Sequence, residues 1–108
     1  MSTSPQKKTL PYMVRDITFF YVKHFYNKEL QNKNVQKLEE KDVINLVNTM
    51  YHEKETELKE YIKNTLKETL GDEYPKLKVN MLLLEMFDNP DLAKKRVITE
   101  IIEYQNNL

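Results

Sequence analysis

His52-Glu53 is the pair in this chain that comes nearest to a chemical motif. It begins the H-E-x-x-H pattern, in which two histidines one helical turn apart share a zinc ion and the glutamate activates water. Position 56 is Thr56, so the second imidazole is missing. The other histidine, His24, falls within an apolar helical face, where a lone imidazole is more often a hydrogen-bonded core residue than a ligand or base. With two histidines, no cysteine and no E-x-x-H pair, neither a His-rich site, a thiolate site nor a di-iron centre is written here. Ser2 and Ser4 are the only serines and both lie in the N-terminal segment, which leaves no serine nucleophile for a folded site. The single glycine, Gly71, excludes a glycine-rich phosphate loop. Acid pairs such as Glu39-Glu40 and Asp72-Glu73 flank helices or turns, where carboxylates serve solubility and offset the helix dipole. The expectation is no enzyme, no metal and no cofactor.

Recognition chemistry is better represented. The stretch "DITFFYVKHFY" (16 to 26) holds five of the chain's eleven aromatic residues. On a helix, Met13, Val14, Ile17, Phe20, Tyr21, His24 and Phe25 share one broad face, while Phe19, Val22 and Tyr26 form a second stripe beside Arg15. The first face is most simply core. The second is either covered by the 31–40 segment or another helix of the chain, or it is a docking surface, because aromatic residues beside arginine are typical interface anchors. Arg15, Phe19, Val22 and Tyr26 are therefore the candidate protein-binding residues, for another protein or a second copy of the chain.

A second candidate surface is basic. Lys59, Lys63 and Lys67 share one helical strip, with Glu53, Glu57, Glu60 and Glu68 on the neighbouring strip. The lysines are a candidate phosphate track for nucleic acid, but the adjacent carboxylates weaken it. Lys+Arg and Asp+Glu both number 17, so net charge supplies no general attraction to nucleic acid or to an anionic membrane. Only two of the basic residues are arginine, which further disfavours bidentate recognition of bases or phosphates.

These residues need elements to hold them. A chain of 108 residues is the size of one domain. Scarce glycine and 31% charged residues suit a helical protein better than a turn-rich β-protein. Residues 1–9 are expected to be a disordered tail and 10–108 a single helical domain, with Thr9 as N-cap and Pro11 in the first turn of a helix from about 11 to 30. The 31–37 stretch lacks periodicity and reads as a loop. The helical period resumes from about Glu39 to Leu70, as one long helix or, in preference, two broken at "HEKET" (52 to 56). Gly71 stands where a left-handed residue ends a helix. "KLKVNMLLLEMF" (76 to 87) is apolar all round the helical wheel, which predicts a central buried helix. "DNPDL" (88 to 92) restarts the chain with Asn89 as N-cap, and Ala93, Val97, Ile101 and Tyr104 form the inner stripe of the last helix. The longest apolar runs, "FFYV" and "MLLL", fall far short of the roughly 20 residues that span a bilayer.

The segments "YMVRDITFFYVKHFY", "MYHEKETELKEYIKNTLKETLGDEYP" and "MLLLEMFDNPDLAKKRVITEIIEYQ", with their Lys-, Asn- and Tyr-rich composition, resemble small uncharacterised helical proteins of large nucleocytoplasmic DNA viruses. The resemblance implies a viral accessory or virion-associated protein acting inside a host cell, in cytoplasm or nucleus, and carries over no functional residue. The expected object is an all-α compact bundle of four or five helices. Its expected function is non-enzymatic protein-protein interaction or assembly, including self-association through helix 1 aromatics, with nucleic-acid binding through the lysine strip as the alternative.

Overall fold

A computed structural model describes residues 9–107. The expected tail over 1–9 therefore lies, except for Thr9, outside the described residues. Five α-helices follow one another: α1 (Leu10–Lys33), α2 (Glu40–His52), α3 (Glu55–Leu70), α4 (Val79–Asp88) and α5 (Asp91–Asn106). A 3-10 helix, Gly71–Lys76, joins α3 to α4, and the described residues include no strand. The fold is the expected all-α bundle.

Local chemistry sets most of the helix limits. The Thr9 side chain accepts a long 3.4 Å bond from the Tyr12 N–H, and Pro11 sits in the first turn, where its missing N–H leaves nothing unpaired. Asn34 closes α1 in the left-handed region (φ 54°, ψ 49°), a conformation that asparagine tolerates better than most residues. α1 thus runs a turn further than its sequence suggests. The break in "HEKET" falls at Glu53 and Lys54, where both backbone N–H groups return to the Thr49 carbonyl. Asn89 does not cap α5. Pro90 holds the N-cap position and no side chain caps that helix.

Gly71 ends α3 with φ 54° and ψ −122°. The φ is positive as expected, but this ψ belongs to a primed turn rather than to a left-handed helix cap, and L-residues avoid it more strongly. A Cβ built there meets nothing within 4 Å, so the backbone alone demands glycine. Gly71→Ala should cost about 1–2 kcal/mol, read from urea unfolding curves with an unchanged slope. An unaffected midpoint would mean that the turn relaxes freely.

α1 packs against α2, α3 and α5, and α2 also packs against α3 and α5. The heptad-like stripe of the middle helices is the core: Val43, Val47, Met50, Leu58, Ile62 and Leu66 are all fully buried. α4 is the exception. Only Val79 and Leu83 of this helix are buried, while Met81 and Leu84 are 56% and 66% exposed. The expected central helix is a peripheral one. Its apolar residues outnumber the neighbours available to cover them, because α1, α2, α3 and α5 already enclose one another.

Candidate functional site

The second stripe of α1 does not form a docking surface. Val22 and Tyr26 are fully buried, and Phe19 is half-buried against the core. The Tyr26 hydroxyl donates to Gln105 Oε1 at 2.7 Å, and its ring meets Tyr104 edge-on at 6.2 Å. The reason lies in the three neighbours of α1, whose combined contact covers a wider arc than either stripe alone. The same arc leaves Phe20 60% exposed and His24 exposed, although both were expected on the inner face. Phe20 meets Phe19 edge-on at 5.9 Å, and His24 meets Phe25 edge-on at 5.5 Å.

The lysine strip is also engaged. Lys59 lies 3.0 Å from Glu55 and 5.0 Å over the Phe87 ring, and Lys67 lies 5.6 Å over the Tyr74 ring. Lys63 is half-buried on the same helix. Such a strip offers phosphates less than three solvated lysines would. His52 accepts a 3.1 Å bond at Nε2 from Lys94 Nζ, an exposed contact between α2 and α5. Among the described residues no group of three or more metal-ligating side chains converges, and no helix is long and apolar enough to cross a membrane.

What remains open is the outer face of α4. Met81 and Leu84 stand on it, and Leu77, in extended backbone just before the helix, is 38% exposed. Met81 and Leu84, three residues apart within the helix, have the spacing of one a-to-d step of a coiled-coil seam. Phe87, on the inner side of α4, lies 5.3 Å from Tyr51, so the helix is fixed in rotation with Met81 and Leu84 outward. Lys78 and Glu85 stand seven residues apart on one flank of this seam, and both are exposed. Among the described residues neither forms an ion pair within the chain. The sequence carried this signal in Leu77, Met81 and Leu84, but the surrounding Leu and Met residues masked it.

A second feature is a cleft of about 190 Å³ between α1, the end of α4 and the start of α5. Tyr51, Thr18 and Val97 are its buried walls, and Leu92, 62% exposed, stands at its mouth. Both arginines of the chain, Arg15 and Arg96, line it, together with Glu100. The Arg15 guanidinium lies 5.7 Å over the Tyr12 ring, and its Nε is buried without a hydrogen-bond partner. Among the described residues neither arginine forms an ion pair within 4 Å. Burial raises the Glu100 carboxyl above its ordinary value while Arg15 and Arg96 hold it down, and Asp16 and Glu103 push it up from beyond the lining. Burial, with a smaller contribution from Glu100, raises the Tyr51 hydroxyl to about 12, so it is neutral at physiological pH.

No family model, curated protein or solved structure matches this chain.

Proposed function

We propose that the protein is a non-enzymatic assembly module that associates with a second copy of itself through α4. The observation that carries this reading is the exposed pair Met81 and Leu84 on α4, with Leu77 exposed just before the helix and oppositely charged residues seven apart on one flank. A two-fold axis relating antiparallel helices faces the same flank of each toward the other, running in opposite directions. Lys78 of one copy then lies beside Glu85 of the other, twice over, while Met81 and Leu84 interleave. A parallel pair would instead set this flank against the opposite flank of the partner, where Lys78 and Glu85 would not meet. The charge pattern therefore selects the antiparallel arrangement.

Three exposed apolar side chains per copy make a small interface, below the standard size of about 800 Å² per partner. The expected dimer is weak, with a dissociation constant on the order of tens of micromolar. Sedimentation velocity over a concentration series tests it. Leu84→Glu, which places a carboxylate in both halves of the seam, should weaken the dimer by at least about 100-fold while leaving the melting curve unchanged. Lys78→Glu should weaken it about 3- to 10-fold, and Lys78→Glu combined with Glu85→Lys should restore it. A chain that stays monomeric at millimolar concentration, or a dimer indifferent to Leu84→Glu, defeats the reading.

A further inference from the structure

Arginine is scarce in this chain, yet its two copies, from helices far apart in sequence, line one cleft. Among the described residues neither guanidinium lies within ion-pair distance of a carboxylate, although both act on Glu100. Two guanidiniums face one lining carboxylate, Glu100, beside an apolar cavity, with Asp16 and Glu103 acting on Glu100 from beyond the lining. The cavity size is informative as well. About 150 Å³ suffices for a benzene ring in a protein interior, so about 190 Å³ accommodates a ring or a chain of five or six carbons.

We infer that this cleft is a binding site for a small amphipathic carboxylate, its phenyl or short alkyl body against Tyr51, Met86 and Val97 and its carboxylate between Arg15 and Arg96. The apolar body replaces water along the walls, and the carboxylate supplies the acceptor that Arg15 Nε lacks. Arginine suits this role because its planar fork matches a carboxylate through two parallel N–H bonds. Phosphate fits the charge but not the apolar walls, and a neutral alcohol fits the walls but not the charge. Glu100 sets a limit on affinity, because its own carboxylate competes for the same guanidiniums.

The test is a titration of the full chain with hexanoate and with 3-phenylpropionate, followed by methyl chemical shifts in nuclear magnetic resonance, with hexanol and inorganic phosphate as controls. Saturable shifts at the methyls of Thr18, Met86, Leu92 and Ala93, at about millimolar concentration, are expected for the two carboxylates. Hexanol and phosphate should each bind at least about 10-fold more weakly. Arg96→Gln should weaken hexanoate about 10-fold or more, and Glu100→Gln should strengthen it several-fold, the opposite sign on the same helix. Arg96 is exposed, so its variant is expected to fold, and a melting curve checks this. No saturable shift for either carboxylate, equal binding of hexanol, or the same direction of change in both variants overturns the proposal. Met86 lies on the covered side of α4 and none of the readouts is at Met81 or Leu84, so the Thr18, Leu92 and Ala93 shifts and the Arg96 and Glu100 variants stand or fall independently of self-association.

Discussion

Tyr26→Ala lowers the unfolding free energy by about 3–5 kcal/mol, a large share of the roughly 5–15 kcal/mol that holds a domain of this size. The side chain is fully buried, so its removal deletes an aromatic ring and leaves a cavity that α1 and α5 close only by shifting against each other. It also strands Gln105 Oε1, which loses its 2.7 Å donor. Tyr26→Phe separates the two effects: it keeps the ring, removes only the hydroxyl, and is expected to cost about 1–2 kcal/mol. Urea unfolding of both variants measures the difference. If Tyr26→Ala unfolds with an unchanged midpoint, the residue is not core and a free aromatic stripe on α1 returns to consideration.

Gln105→Leu is the second large effect, at about 3 kcal/mol. Gln105 is 6% exposed, and its amide behaves as an extra peptide group for the connection between α1 and α2. Its Oε1 accepts from the Leu38 N–H at 3.2 Å as well as from Tyr26, and its Nε2 donates to the Leu38 carbonyl at 3.0 Å. Leucine fills a similar volume but leaves three buried polar groups unpaired, and each such group costs about 1–3 kcal/mol unless water reaches it. Leu38, whose side chain is also buried, is then held to α5 by packing alone. Amide hydrogen exchange reads this directly: protection at Leu38 should fall to the level of an open loop while protection in α3 follows global stability. Retained protection at Leu38 would show that the glutamine clasp is dispensable.

The clasp marks the limit of what could be read in advance. A glutamine two turns past Ile98 on a stripe of Val97 and Ile101 looks like a polar end of the helix, and nothing local distinguishes it from a solvated residue. Its burial depends on a loop 67 residues away in sequence arriving at the same place. Arg15 illustrates a similar gap at the candidate site. Its type suggested recognition chemistry, yet the partner that gives it meaning, Arg96, lies on the last helix, and only packing of α1 beside α5 brings the two to one cleft.

By itself the sequence determined the all-helical class and some helix ends: Thr9 with Pro11 and Gly71 act through backbone geometry within a few residues, whereas the break at Glu53-Lys54 is the preferred of two readings between which the structure decided. It also determined the inner stripe of α2 and α3, because a single apolar stripe offers one way to face a core. Tertiary structure alone decided the two helices that are apolar on more than one side. For α1, neighbours on three sides buried Val22 and Tyr26 and left Phe20 outside; for α4, the other helices had already closed around one another, so Met81 and Leu84 stayed in solvent. A helix with more apolar surface than one face can use does not specify its own orientation, since burial is a property of the neighbours that reach it.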